Sequence, residues 1–207
     1  MRQLLLDFTQ APAPTFANFV HGGNAELFHA LATAVRGDLP ERVVYLWGEP
    51  GAGKTHLATA FAGAVLERGP GYRVIDDVER LGESGQVALF NDFNEGAFAF
   101  LLVTASAAPR DVALRRDLST RLATGLTYRV LPLTDREKRA ALAAHAKARG
   151  FALSEEVSAY LLTHARRDMG SLMAALDAID RYSLETGRPV TVPLLKAAIQ
   201  PQAEARR

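Results

Sequence analysis

The sequence predicts an α/β fold in which a parallel β-sheet with flanking helices is followed by a small all-helical domain. Apolar runs alternate with helix-like stretches up to about residue 133, as in a parallel sheet with crossover helices. A glycine-rich segment, GEPGAGKT at residues 48–55, directly follows one of these runs. Beyond residue 133 only helical patterns occur. We therefore expect domains at residues 16–133 and 134–200, preceded by a peptide and linker at residues 1–15.

The first domain is predicted to contain four strands. NAELFHALATAV, residues 24–35, has apolar residues on one helical face, and Asn24 stands where an N-cap is preferred. RVVYLW, residues 42–47, is a continuous apolar run of the kind found in buried parallel strands. A helix is expected from Lys54 to about Leu66, ending at RGPG. The further strands are expected at residues 72–77, 98–106 and 127–133.

The second domain is predicted to contain four helices. Thr134 and Gly150 bound the first, as a capping residue and a terminating glycine. Ser154 begins the second in the same way. Residues 169–187 and 191–199 supply the third and a short fourth helix.

The composition excludes several classes of function. With 24 basic and 23 acidic side chains, the net charge of +1 argues against binding nucleic acid through overall charge. The absence of cysteine excludes disulfides and thiol catalysis, and the five histidines lack metal-ligand spacing. No apolar run reaches 18 residues and no signal peptide is recognisable, so we expect a cytoplasmic protein that does not bind membranes.

GEPGAGKT fits the P-loop pattern G-x-x-x-x-G-K-[ST], with a strand before it and a helix after it. Its glycines let backbone amides face phosphate groups at a helix N-terminus. Lys54 is expected to reach the β- and γ-phosphates and Thr55 to bind Mg²⁺, so ADP or ATP is the expected ligand. The alternative is a glycine-rich turn without a ligand. The predicted nucleotide contacts here are Gly48, Gly51, Ala52, Gly53, Lys54, Thr55 and His56.

Two acids end the next predicted strand, beside the P-loop in a parallel sheet. Asp76 is expected to contact Mg²⁺ directly or through water, and Asp77 to polarise an attacking water. The alternative is that they cap the next helix.

The motifs, taken in order, resemble AAA+ replication initiators of the DnaA type. The matching segments are TFANFVHGGNAELFHAL, the P-loop, VIDDVERL, LLVTAS, DLSTRLATGL and RRDMGSLMAALDAIDRYSLETGRPVTVPLLK. The resemblance extends from about residue 3 to residue 199. It implies an AAA+ nucleotide-binding domain with a helical lid, and it is strongest to the family members that inactivate the initiator DnaA. The DNA-binding domain of DnaA is expected to be absent.

The resemblance also implies roles for individual residues. Phe19 and Val20 lie in the segment that holds adenine, and Ser106, with Thr104, lies at the sensor-1 position. Arg121 matches the arginine finger, which reaches a neighbouring subunit's γ-phosphate; the alternative is an intramolecular ion pair or a solvated side chain. Arg115 and Arg116 are expected to be surface residues.

QLLLDF, residues 3–8, resembles the clamp-binding peptide of the regulatory members. Gln3, Leu4, Leu6 and Phe8 match its pattern, in which alternate side chains of an extended peptide fill pockets on the partner. TQAPAPT is the expected linker. The alternative for residues 3–8 is an edge strand.

Two features depart from the family pattern. Gly170 occupies the position of the sensor-2 arginine, which makes self-catalysed hydrolysis doubtful; Arg166 and Arg167 lie one turn earlier. Only 20 residues separate Thr55 from Asp76, where the family has an additional strand and helix. We therefore expect a sheet that lacks one edge strand.

The resemblance implies a regulatory adaptor that binds the sliding clamp, the β subunit of DNA polymerase III, and stimulates hydrolysis of DnaA-bound ATP. Its own ATPase activity is expected to be weak or absent. The chain would contact nucleic acid only through the clamp–DNA complex, so the resemblance implies a protein at the bacterial nucleoid. A homo-oligomer is compatible with the family. The alternatives are an autonomous ATPase of the helicase-loader type and a clamp-binding module that has lost nucleotide binding.

Overall fold

A computed structural model describes residues 13–69 and 71–199. They form two compact units, one of residues Pro14–Pro132 and one that begins at Leu133. None of the helices in these residues is long and apolar enough to cross a membrane.

The first unit alternates helices and strands. Two short 3₁₀ turns, Leu66–Arg68 and Val78–Arg80, flank the second strand on either side. In chain order the elements are α1 Ala25–Arg36, β1 Val43–Trp47, α2 Lys54–Val65, β2 Tyr72–Ile75, α3 Glu83–Glu95, β3 Phe100–Ala105, α4 Arg116–Leu122 and β4 Leu126–Arg129.

The strands form one parallel sheet in the order β2-β3-β1-β4. In the register, Val44 lies between Leu102 on β3 and Leu126 on β4. The α/β fold, the four strands and the helical domain after them are confirmed. Within the described residues β2 forms one edge of the sheet, as expected for a sheet without the additional strand.

The sheet has an apolar core on each face because side chains of successive strand residues point to opposite faces. Val44 and Leu46 pack with α1 and α2, among them Leu31, Leu57 and Phe61. Their strand neighbours Val43 and Tyr45 pack on the opposite face with residues of α3 and α4, including Leu89, Leu118 and Leu122. All six β3 residues are buried, so the central strands are covered on both faces.

The second unit consists of α5 Asp135–Ala148, α6 Glu155–His164, α7 Met169–Thr186 and α8 Val192–Ile199. Thr134 and Glu137 form a reciprocal capping box at the start of α5. The Ser154 hydroxyl accepts a hydrogen bond from Val157 N–H at the start of α6. A core that includes Leu142, Leu161, Leu172, Ile179 and Leu195 holds the four helices together.

Two local features differ from the sequence-based expectations. Asn24 precedes α1 as predicted, but its side chain makes no capping hydrogen bond. Instead, its Nδ2 donates to Leu131 O at 2.9 Å and its Oδ1 accepts from Leu131 N–H at 2.8 Å. The strands are also shorter than expected, because the chain turns at Asp76 and Ser106 rather than continuing the ladder.

Candidate functional site

The P-loop lies between β1 and α2 and depends on glycine backbone conformations. Gly48, Gly51 and Gly53 have φ of 155°, 81° and 102°. A Cβ atom on Gly48 would lie 2.6 Å from Val130 O, so only glycine fits there. No atom lies within 4 Å of a Cβ built on Gly51, which leaves that part of the loop open. This backbone suits a loop that presents amides to an anion.

Lys54 begins α2 and is only 8% exposed. Its Nζ donates to Gly48 O at 2.8 Å and to Glu49 O at 3.2 Å. These bonds hold the ammonium group against the glycine loop, where a bound phosphate would lie. Thr55 follows on the first turn of α2 with its side chain exposed. The predicted phosphate-binding residues are therefore brought together at one helix N-terminus.

Asp76 and Thr104 are joined at the carboxyl ends of two adjacent strands. The Thr104 hydroxyl donates to Asp76 Oδ1 at 2.5 Å and accepts from Asp77 N–H at 2.8 Å. Thr104 is fully buried, and its two hydrogen bonds fix the turn that follows β2. Asp76 itself is exposed, so its second oxygen can take part in binding a cation.

Asp77 has a left-handed backbone, with φ of 52° and ψ of 63°. Its Oδ2 lies 3.2 Å from Arg80 Nε, and that arginine side chain is 81% exposed. An ion pair this open to solvent constrains Asp77 only weakly.

Glu79 is a site residue that sequence analysis missed. Its Oε1 accepts a hydrogen bond from Ser106 N–H at 2.8 Å, and its Oε2 is buried without a partner in the described residues. Burial alone would raise the pKa of the Glu79 carboxyl, but hydrogen bonds from Ser106 and the charge of Lys54 hold that pKa below its ordinary value. The carboxylate thus contacts the backbone of the predicted sensor residue, and the charge of the P-loop lysine contributes to the lowered pKa of Glu79. The sequence feature that could have pointed to Glu79 is its position three residues after Asp76.

Aromatic side chains cover one side of the P-loop. The Phe19 ring lies 3.0 Å from a Cβ built on Gly53, and its centroid is 5.4 Å from that of His56. Phe19 also stacks on Phe28 with centroids 6.1 Å apart. His56 Nε2 lies 3.0 Å from Thr15 O. Phe19, from the segment before α1, and His56, on α2, therefore lie together beside the loop. Val20, next to Phe19 in the chain, is half-buried.

Arg121 projects from α4 and is exposed. Its guanidinium carbon lies 5.9 Å from the centroid of the Phe93 ring on α3. Within the described residues Arg121 forms no ion pair, so the alternative of an intramolecular ion pair receives no support there. An exposed guanidinium resting on an aromatic ring remains available to an external anion.

No cluster of three or more acidic or histidine side chains placed to bind a metal occurs in residues 13–69 and 71–199. Thr55 and Asp76, the two predicted Mg²⁺ ligands, both have exposed side chains, and Mg²⁺ commonly completes its shell with phosphates and waters.

In the second unit Gly170 lies in the first turn of α7, where Asp168 accepts a hydrogen bond from Ser171 N–H at 2.8 Å. Both nearby arginines form ion pairs within this unit, Arg166 with Asp168 and Arg167 with Asp135. Both pairs are open to solvent, with the Arg166 and Arg167 side chains 86% and 61% exposed, so they constrain the two arginines only weakly. The predicted clamp-binding residues Gln3, Leu4, Leu6 and Phe8 lie outside the described residues.

Comparisons with known proteins agree with this architecture. Residues 11–76 match the family model of the bacterial DnaA ATPase domain, and residues 135–199 match that of the Hda lid domain. Domain III of the Thermotoga maritima replication initiation protein DnaA is 21% identical with a TM-score of 0.69, over 92% of this chain and 97% of that one. AMPPCP-bound DnaA from Aquifex aeolicus is 18% identical with a TM-score of 0.67, and the match covers 94% of this chain and 70% of that one. The Thermotoga maritima RuvB Holliday junction branch migration motor is 16% identical with a TM-score of 0.64, and the match covers 95% of this chain and 73% of that one. At these identities the solved structures establish the fold.

Proposed function

The chain is a Hda/DnaA-like AAA+ protein, and from this premise we propose that it inactivates DnaA by stimulating hydrolysis of DnaA-bound ATP. The coarser conclusion, a regulator related to replication initiation, follows from the DnaA-type ATPase and Hda-type lid matches. The observation that carries the finer proposal is Arg121, exposed on α4 and not engaged in an ion pair among the described residues.

The P-loop would hold adenine nucleotide as a structural ligand. Lys54 contacts the phosphates, Phe19, Val20 and His56 lie beside the base, and Thr55 and Asp76 hold Mg²⁺. ADP suffices for this role, because the nucleotide fixes the site and is not consumed. The homologue from Aquifex aeolicus was solved with AMPPCP, an analogue of ATP, which supports an adenine nucleotide.

Arg121 would act on a nucleotide bound by DnaA. An arginine finger stabilises the charge that develops on the γ-phosphate and accelerates hydrolysis by about 10³–10⁵-fold. Its planar guanidinium is always charged, so it needs no activation within its own chain. The reaction would occur in the DnaA site, and DnaA would be left with ADP.

Residues 3–8 would bring the chain to the sliding clamp. An extended peptide that places Leu4, Leu6 and Phe8 in pockets, with Gln3 at the rim, uses a known mode of peptide recognition. Tethering by this peptide raises the effective concentration of Arg121 near DnaA on clamp-loaded DNA.

The experiment that tests this function measures hydrolysis of ATP preloaded on DnaA, with clamp-loaded DNA. The intact chain is compared with a variant lacking residues 3–8 and with reactions that lack the clamp. We expect acceleration only with the intact chain and the clamp together. No acceleration by the intact chain, despite binding to the clamp, would refute the proposal.

The second candidate is an autonomous ATPase, which is favoured by the complete set of Lys54, Thr55, Asp76 and Asp77. In that case the purified chain would turn over ATP without partners, and Lys54→Ala would abolish the turnover. Gly170 weighs against it, because it stands at the predicted sensor-2 position in the first turn of α7 and has no side chain that could contact a nucleotide.

A further inference from the structure

An open cleft beside α4 concentrates positive charge. Its volume is about 760 Å³, and its lining consists of Phe90, Arg115, Arg116, Asp117, Thr120 and Arg121. Three guanidinium groups against one carboxylate leave a net charge of +2 in the cleft, whereas the whole chain carries +1. A surface of this kind favours an acidic partner.

The three arginines differ in what they contact. Arg115 pairs with Asp117, with Nη2 to Oδ2 at 2.8 Å and Nε to Oδ1 at 3.2 Å, and its N–H donates to Gln86 Oε1 at 2.9 Å. Arg121 rests on the Phe93 ring. The Arg116 side chain makes neither an ion pair nor a hydrogen bond to any described residue. Arg115 is thus a fixed part of the cleft, while Arg116 and Arg121 remain free to bind.

Arg116 and Arg121 are placed to meet two different anionic groups. They are the first and the penultimate residues of α4. Five helical positions separate their Cα atoms by about 7.5 Å along the axis and by well over a quarter turn around it. Both line the same cleft, so a protomer whose γ-phosphate is reached by Arg121 would lie beside Arg116 as well, at a different point of its surface. The anionic groups that a protein surface offers are carboxylates.

We propose that Arg116 binds a carboxylate on DnaA and sets the affinity of the complex, while Arg121 acts on the nucleotide. This inference rests on the proposed function. The Arg115–Asp117 pair shows that the cleft accommodates a bidentate guanidinium–carboxylate contact. Phe90 supplies an apolar surface for the methylene groups of an incoming acidic side chain.

The test separates affinity from rate with three variants of the full chain. Arg116→Ala and Arg121→Ala are compared with Arg110→Ala, a control that removes the same charge outside the cleft lining. Arg110 is 89% exposed and, among residues 13–69 and 71–199, pairs only with its neighbour Asp111 at 3.3 Å, so its loss changes little. The Kd for DnaA is measured separately for DnaA loaded with AMPPCP and with ADP, and the maximal rate of hydrolysis is measured at saturation. Thermal unfolding midpoints equal to that of the intact chain establish that each variant folds.

Arg116→Ala is expected to raise Kd about tenfold with both nucleotides and to leave the maximal rate unchanged. Arg121→Ala should lower the maximal rate, and any effect on Kd should be confined to AMPPCP. Arg116→Ala binding like Arg110→Ala would overturn the inference. An effect of Arg116→Ala limited to AMPPCP would also overturn it, since Arg116 would then contact phosphate. If the intact chain does not accelerate hydrolysis at all, the proposed function fails, which is a different result from either of these.

Discussion

Lys54 is only 8% exposed, and its Nζ satisfies its hydrogen-bonding needs by donating to two carbonyl groups of its own loop. A phosphate would replace these neutral acceptors with an anionic one. Lys54→Ala should therefore weaken ADP binding about 10- to 100-fold, as measured by the thermal shift across an ADP titration. Lys147→Ala, an exposed lysine of α5, is the matched control and should bind ADP normally. Equal affinities of the two variants would contradict the P-loop assignment.

Thr104 holds together the ends of β2 and β3. Thr104→Val keeps the shape of the side chain but removes the hydroxyl that bonds Asp76 and Asp77 N–H. We expect a loss of about 1–3 kcal/mol in the free energy of unfolding, measured with urea, because a buried donor loses its acceptor. Thr163→Val removes an exposed hydroxyl that bonds Ala159 O at 2.9 Å, and it should cost less. A cost for Thr104→Val no larger than that of the control would contradict this role.

Glu79 makes the free energy of unfolding depend on pH, and the direction of its pKa shift sets the sign of that dependence. Its pKa in the folded protein lies below the ordinary value, so the folded state favours the carboxylate. The resulting stability is present above the ordinary pKa of glutamate and is lost as pH falls through the lower folded pKa. Glu79→Gln should therefore destabilise the protein near pH 7, with a difference from the intact chain that shrinks toward pH 3. Urea unfolding across this range measures it, with exposed Glu95→Gln as control. A pH-independent difference would contradict the assignment.

At the scale of elements, Asn24 connects the start of α1 to the segment after β4. It is 4% exposed and forms two hydrogen bonds with the backbone of Leu131, 107 residues away. Asn24→Ala leaves both backbone groups of Leu131 without these partners. The expected loss in the free energy of unfolding is about 2–4 kcal/mol, measured by chemical denaturation. Asn91→Ala, at an exposed position of α3, should be neutral or slightly stabilising because alanine favours helix. Equal effects would show that the contact to Leu131 contributes nothing.

The elements with a strong local signal were predictable from the sequence. β1 and β3 are continuous apolar runs, and the structure buries them on both faces. The cap residues Thr134 and Ser154 also act as predicted, because capping depends on neighbours only three residues away. α3 was not predicted, since Leu89 is its one fully buried residue among the thirteen and its apolar stripe is weak. The side-chain role of Asn24 was not predictable because its partner is distant in sequence.

At the scale of the molecule, the sequence predicted the parts of the site that follow a motif. GEPGAGKT predicted the P-loop. Its three glycines, Gly48, Gly51 and Gly53, all have positive φ angles in the structure. The contacts of Thr104 with Asp76 and of Glu79 with Ser106 depend on the register of β2 and β3, which no local pattern encodes. The cleft at α4 arises in the same way, from the packing of α3 against α4.

The central claim is that Arg121 acts in trans on ATP held by DnaA. The most direct measurement is the single-turnover rate of hydrolysis of DnaA-bound ATP on clamp-loaded DNA, at saturating concentrations of the chain. Arg121→Ala and Arg121→Lys are compared with the intact chain and with Arg110→Ala. We predict that both Arg121 variants lose at least about a hundredfold in rate, since lysine lacks the planar guanidinium, and that Arg110→Ala retains the full rate. An Arg121→Ala rate equal to that of the intact chain would contradict the account.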